Sequence, residues 1–335
     1  MNGFLEDLKG SFGILSNEDV MSYLLRGLMF TLVISVIAIV FSLLLGVVLA
    51  LAVLIVAAAL RRTVSSTGDV KRLVSLTALA SIPRTAPKRR KNSPQQGLLI
   101  TRMQTDSAFC EAYRLLRLKL LRQLKDEDKV IMVTSSIPSE GKSSVSVNLA
   151  LSLAREGKKV LLIDGDLRGP SDKALLGITK PSEGLGQCLS GSLDQVHFLR
   201  YEETSLYVFA GSEPIHAPMN LLQYDKLEAL INTLRPMFDY IVLDTPPCAM
   251  MADALAMCRH VDRVIYVIRE DFAATTQIFE GIQALAGADA RMAGFVFNCA
   301  ANVRGSSSGY GYGYGYGYGY GYGYGYGKTK RKNAE

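Results

Sequence analysis

The 335-residue chain has no tryptophan, three histidines and no C-x-x-C pair. His197, His216 and His260 lie far apart without ligand spacing, so they read as surface or core residues rather than a metal centre. The cysteines at 110, 188, 248, 258 and 299 are scattered, which excludes a disulfide framework and fits reduced thiols in a cytosolic domain. Charge is missing from Gly27 to Leu60. A helix of that length would rise about 51 Å, against a ~30 Å hydrocarbon core. The stretch is too long for a signal peptide. We expect one tilted transmembrane helix within residues 23–62, with two cramped helices turning at Gly46 as the alternative.

What flanks this span sets its direction. Arg61, Arg62, Lys71 and Arg72 follow it, while Glu6, Asp7, Glu18 and Asp19 precede it. The positive-inside rule then puts residues 1–22 outside a cell membrane and the rest in the cytoplasm. Phe4, Leu5, Leu8, Phe12 and Leu15 sit at roughly helical spacing, as an interfacial helix or a frayed terminus. Residues 63–105 read as a linker carrying the basic run Pro87-Lys88-Arg89-Arg90-Lys91. So close to a membrane, attraction to anionic lipid accounts for the run better than nucleic acid, and a solvated linker is the plainer alternative.

From residue 106 to about 303 the chain has the character of one domain. A helix is expected over Ser107–Leu124, with Glu111, Arg114 and Arg117 near one face as an ion-pair stripe. Apolar runs at Val130–Thr134, Val160–Asp164, Leu206–Ala210, Tyr240–Asp244, Arg263–Val267 and Gly294–Asn298 read as strands, with helical stretches between most of them. The pattern predicts an α/β fold: a mostly parallel sheet with helices on both faces.

The stretch with the clearest chemistry is Val130–Ser144, an apolar run leading into Ser136-Ile-Pro138-Ser139-Glu140-Gly141-Lys142-Ser143-Ser144 and then an amphipathic helix. Strand, loop and helix in that order make a P-loop, although Ser136 stands where the usual first glycine would be. Backbone N–H groups of residues 139–143 would cradle phosphate, Lys142 would reach the β- and γ-phosphates, and Ser143 would ligate Mg²⁺. Two apolar strands end in acids: Asp164-Gly-Asp166-Leu-Arg168-Gly-Pro170, and Asp244-Thr-Pro-Pro. Ligands of open α/β sheets sit beyond the carboxyl ends of the strands, so Asp164, Asp166 and Asp244 are expected to converge on the ion held by Ser143. Mg²⁺ needs only one or two carboxylates besides phosphate and water, which leaves one acid free. Asn298 reads as an adenine contact or a loop cap.

These motifs, at this spacing, resemble the bacterial tyrosine kinases of capsular and exopolysaccharide synthesis over about residues 105–335. Shared features include E-x-x-R-x-x-R, Gly211…Pro218-Met-Asn-Leu-Leu and a tyrosine-rich C-terminus. The resemblance implies one ATP·Mg²⁺ site built from Walker A (Ser136–Ser143), Walker A′ (Asp164, Asp166, Arg168) and Walker B (Asp244). Ser143, Asp166 and Asp244 would hold the metal, and Asp164 would be the base for a tyrosine hydroxyl. Glu111, Arg114 and Arg117 would mediate ring-shaped homo-oligomers in which one subunit phosphorylates its neighbour. It also implies a phosphatase and an activator of the chain-length-determinant type. Family members commonly flank such an extracellular domain with two membrane helices, and here one apolar stretch leaves no room for it. Septum-positioning ATPases of the same group carry a second lysine where Ile137 stands here. A membrane-anchored ATP switch without tyrosine phosphorylation shares every nucleotide residue and is the alternative function.

The tail over residues 304–335 is low-complexity and expected to be disordered. Tyr310, Tyr312, Tyr314, Tyr316, Tyr318, Tyr320, Tyr322, Tyr324 and Tyr326 alternate with glycine, which keeps the backbone mobile. As phosphoacceptors, nine modified tyrosines would add roughly −13 to −18 of charge, outweighing the chain's +6 and loosening an oligomer by repulsion.

Overall fold

The computed structural model describes residues 18–60, 63–85, 98–191, 197–211, 213–215, 217–222 and 226–301. Residues 1–17, the basic run at 87–91 and the Gly-Tyr tail with Tyr310–Tyr326 lie outside the described residues. The apolar stretch forms one unbroken helix, Glu18–Leu60, that continues through Gly46. An 18-residue stretch within residues 18–57 reaches a mean hydropathy of 3.2 with none of it buried, so the helix is long and apolar enough to cross a membrane. Two short helices joined at Gly46 are therefore not what forms.

The rest builds one eight-stranded sheet: β1 (Ala78–Pro83), β2 (Val130–Ser135), β3 (Val160–Asp164), β4 (Leu199–Arg200), β5 (Leu206–Phe209), β6 (Tyr240–Asp244), β7 (Arg263–Arg269) and β8 (Met292–Ala300). The spatial order is β1-β8-β7-β2-β6-β3-β5-β4, parallel throughout except for the β4–β5 edge pair. A parallel sheet is covered on both faces, and the near-continuous apolar strands follow from that. Ile131 and Val133 of β2 face one layer with Val160 and Leu162, against helices Ala108–Leu121 and Lys142–Ala154. Met132 faces the other side, with Tyr266, Phe295 and Ile278, while Leu161 and Leu243 pack beside them on helix Lys226–Leu234.

The expected linker over 63–105 needs correcting, because part of it belongs to the sheet. Ala78–Pro83 adds β1 as a parallel strand on β8, with Leu79, Ala80 and Ile82 buried. A short helix, Thr67–Leu73, precedes it, capped by the Ser66 side chain. The strand is short and ends in proline, a residue confined to edges and strand ends, and the Ser/Thr-rich surroundings hide it. Gly294 admits it: at φ 143° it lies where L side chains rarely go, and a Cβ there would meet the Thr77 carbonyl at 2.3 Å. Just after the membrane helix, Thr63 bridges Ala274 and the Asp271 amide donates to the Val64 carbonyl (3.0 Å), so residues 63 and 64 are fastened to the domain.

Candidate nucleotide and metal site

Strand β2 is central, with β7 and β6 on its two sides and β3 beyond β6. The three strands that end in candidate residues are therefore neighbours. Asp164 and Asp244 are register partners at the ends of β3 and β6, and Asp244 also pairs with Val133 of β2. Asp164 and Asp244 thus stand side by side at the carboxyl ends of their strands.

The P-loop turns sharply. Ser139 has φ 67° and Gly141 φ 91°, and helix Lys142–Ala154 starts immediately afterwards. A Cβ on Gly141 would stand 2.2 Å from Nδ2 of Asn298, so only glycine fits. Asn298 is engaged there: Nδ2 donates to the Glu140 carbonyl (2.8 Å) and Oδ1 accepts from the Cys299 amide (2.9 Å). Of its two sequence readings, the loop cap describes these bonds, and its amide is turned to the P-loop rather than to a base. Ser136 is buried with its hydroxyl 3.0 Å from that of Tyr266, behind the loop. Glu140 turns inward as well, accepting from the amides of Ile137 (2.9 Å) and Arg269 (3.3 Å). Burial pushes its carboxyl up to about 7. Pro138 and Ser139 are exposed at the tip, and Ser144 gives its carbonyl to Asn148 (2.8 Å) and Tyr113.

Lys142 and Asp166 form an ion pair at 2.8 Å, both nearly buried. Burial alone would lower the lysine, but the charges of Asp244 and Asp166 more than offset it and hold the ammonium above its ordinary value. Asp164 is pinned by three amides: Asp166 on Oδ1 (3.2 Å), Ser171 and Asp172 on Oδ2 (2.8 and 3.0 Å). Burial, then the charge of Asp244, still raise its carboxyl above the usual range. Asp244 accepts from the Ser146 hydroxyl (2.8 Å) on Oδ1, while its buried Oδ2 accepts no hydrogen bond from a described residue. Burial raises it too, opposed by Lys142 and by the hydroxyls of Ser143 and Ser146. Arg168 is held by Asp253 at 2.7 Å, at the rim.

Sequence reasoning missed Asp172, Asp253, Ser146 and Arg269. Arg269 ends β7 and donates through Nη1 to the Ser139 carbonyl (3.0 Å), bracing the loop. Its only signal was an arginine at the end of an apolar strand. The E-x-x-R-x-x-R stripe is split, which corrects the expectation of three residues on one exposed face. Arg114 pairs with Glu111 at the surface (2.8 Å), whereas Arg117 turns inward to the Ser152 carbonyl (3.0 Å) and to Glu156 (2.7 Å). The helix Ala108–Leu121 packs on Lys142–Ala154, and position 117 faces that neighbour.

The donor set fits a nucleotide with a divalent cation: a glycine cradle no other residue would fill, a lysine at its base, and an orphaned Asp244 oxygen beside Ser143. Fold and site thus define a P-loop NTPase. The profile of the ParA family, described as NUBPL iron-transfer P-loop NTPase, matches residues 126–314. The chain is 42% identical over 146 residues to the tyrosine-protein kinase CpsD of Streptococcus pneumoniae serotype 4 (strain ATCC BAA-334 / TIGR4), covering 42% of this chain and 63% of CpsD. It is 29% identical over 228 residues to the tyrosine-protein kinase YwqD of Bacillus subtilis (strain 168), covering 67% of this chain and 95% of YwqD. The kinase domain of Escherichia coli tyrosine kinase ETK superposes with a TM-score of 0.60 at 26% identity, covering 72% of this chain and 96% of that domain. The chain spans less than two thirds of the length of CpsD. It belongs to the ParA-type P-loop NTPases, and among them to the bacterial tyrosine-kinase family.

Proposed function

We propose that the chain is a membrane-anchored protein-tyrosine kinase that transfers the γ-phosphoryl group of ATP to the Gly-Tyr tail of a neighbouring copy, serving capsular or exopolysaccharide synthesis. The observation that carries the reading is the meeting of Lys142, Asp164, Asp166 and Asp244 at the ends of three adjacent strands, behind one P-loop. Relatives named as tyrosine kinases support the reaction class.

The P-loop amides and Lys142 would hold the phosphates, and Ser143, Asp166 and Asp244 would hold Mg²⁺. When bound, the metal neutralises charge on the phosphate oxygens. Asp164 is the base: fixed by three amides, and raised by burial and then by the charge of Asp244 so that it can take the proton of a tyrosine hydroxyl. Arg269 and Asn298 keep the loop in shape from behind. Catalysis is then mostly positioning and charge neutralisation.

The tail suits a substrate in trans. From Asn298 to Tyr326 it can span at most ~90 Å at ~3.3 Å per residue, enough to reach a neighbour in a homo-oligomer. A phosphatase would reset it, an activator of the chain-length-determinant type would switch the kinase on, and the basic run at 87–91 would rest on anionic lipid. No nucleic-acid partner is proposed.

The test is incubation of the purified full chain in detergent with ATP and Mg²⁺, followed by mass spectrometry of Tyr310–Tyr326. We expect phosphotyrosine that falls at least about 100-fold in Lys142→Met. Tight ATP binding with no phosphotyrosine, even after an activator is added, would replace this reading with the ATP switch.

A further inference from the structure

Asp172 opens the short helix Asp172–Leu176 and takes no part in the chemistry above. It is fully buried, and neither carboxylate oxygen accepts a hydrogen bond from a described residue. It does not stand alone. One oxygen each from Asp164, Asp172 and Asp244 lie within 4.8 Å of one another. Asp244, a member of this group, has an unpartnered buried Oδ2. Lys142, the cation whose charge bears on Asp172 and Asp244, is hydrogen-bonded to a fourth acid, Asp166.

Three carboxylates this close and this buried need protons or a cation among them, because an isolated buried carboxylate is among the most costly groups a protein can hold. The donor chemistry selects the ion. All ligands are carboxylate oxygens, without histidine or cysteine, which suits a hard cation and not zinc. Around Mg²⁺ at about 2.1 Å, adjacent ligand oxygens lie about 3 Å apart and opposite ones about 4.2 Å, so the trio would draw together around the ion. A nucleotide-borne Mg²⁺ is satisfied by one or two protein carboxylates, since phosphates supply the rest. A third buried carboxylate has a use when the phosphates are absent.

We propose that Asp164, Asp172 and Asp244 bind Mg²⁺ or Mn²⁺ before any nucleotide arrives, with Asp172 as the ligand that makes nucleotide-free binding possible. The nucleotide then enters a pocket whose negative charge is already offset, and its phosphates, with Ser143 and Asp166, take over the ion and release Asp164 to serve as the base. The proposal rests on the nucleotide site described above and is independent of tyrosine phosphorylation.

The full chain in detergent, stripped with EDTA and freed of nucleotide, would be titrated with Mn²⁺ while electron paramagnetic resonance follows the free ion. We expect one ion per chain in the wild type, and binding at least tenfold weaker in Asp172→Asn. A second titration with ADP present is expected to give Mn²⁺ binding in both proteins, since Ser143, Asp166, Asp244 and the phosphates remain, and it also reports that the variant is folded. Asp172→Leu repeats the measurement if the Asn variant folds poorly. Absence of nucleotide-free Mn²⁺ binding in the wild type, or equal binding in the variants, would overturn the proposal. Failure to bind Mn²⁺ even with ADP would instead remove the nucleotide-site reading beneath it.

Discussion

Asp262 and Asp172 are acids at opposite ends of the strands, one just before β7 and the other beyond the end of β3. Asp262 precedes β7 and receives a two-pronged contact from Arg235 (2.8 Å on each oxygen) together with the amides of Lys129 and Val130. Burial pushes its carboxyl up, but these hydrogen bonds more than offset that and hold it below the ordinary value. Asp128 nearby is matched in the same way by Arg263 at 2.8 Å, and Asp239 caps the Lys159 amide at 2.7 Å. At the carboxyl end, Asp172 has no hydrogen bond from a described residue, and burial with the charges of Asp164 and Asp244 forces it well above the usual range. The same residue type fastens strands at one end. At the other it stores uncompensated charge, which only a ligand or a proton can relieve.

The largest expected stability effect tests the fastening end. Asp262→Ala strips Arg235 of its partner and leaves two amides unmet, which should cost about 3 kcal/mol. In a domain of this size that lowers the melting temperature by roughly 6–12 °C. Activity per folded molecule should stay near wild type. A melting temperature unchanged within a degree would mean that the amino-end pairs are ornamental and would end the contrast.

The two ends should also respond to pH with opposite sign. Asp262, lowered in the folded state, contributes stability above its unfolded value near 3.8 that is lost as pH falls below it. Glu140, raised from 4.5 to about 7 by burial, contributes in the other sense: its share is fully present below 4.5 and is lost as pH rises through about 7. In nucleotide-free, EDTA-containing buffer the chain should therefore lose stability between pH 5 and pH 8. Glu140→Gln should reduce that loss by at most about 3 kcal/mol. Denaturation midpoints at several pH values check it, and parallel profiles for the two proteins would exclude Glu140 as the source.

A smaller effect sharpens the comparison from the functional side. If the acids around Asp172 impose a cost in the metal-free chain, Asp172→Asn should melt higher than wild type in EDTA at pH 8, by about 1 kcal/mol. Divalent cation should reverse the order. Few buried acids stabilise a protein when neutralised, and a destabilised Asn variant would show that Asp172 is held by its surroundings after all.

Much of this arrangement was legible from the chain alone, for an identifiable reason. Strands β2, β3 and β6 are continuous apolar runs with a functional residue at the exit, so composition marks both the element and its end. β1 was hidden because six residues, ALASIP, on an edge beside a serine-rich segment carry no such contrast. Asp172 was hidden for another reason. A charged residue just after a Pro-Ser pair looks like an ordinary turn, and only the fold of the loop from Asp164 back onto Asp244 buries it. Arg117 shows the same limit: helical spacing places it near Glu111 and Arg114, but which flank of a helix is covered depends on the neighbour.

That split motif carries, at Arg114, the smallest expected stability effect, and with Arg117 a sharp discrimination. Arg117 is nearly buried and reaches the far end of the P-loop helix through Ser152 and Glu156, so Arg117→Ala should cost about 1–2 kcal/mol. Arg114 and Glu111 are both more than a third exposed, and such a pair contributes at most about 0.5 kcal/mol. Arg114→Ala should therefore leave the melting curve almost where it was. Its side chain is nonetheless free to meet a neighbouring copy, which Arg117 is not. If the stripe mediates assembly, Arg114→Ala should shift the chain toward smaller oligomers by light scattering at unchanged stability. Arg117→Ala should instead affect assembly only as far as it unsettles the helix. Equal loss of assembly in the two variants at equal stability would mean that Arg117 leaves its internal partners when copies meet, and that the inward contact belongs to the isolated chain.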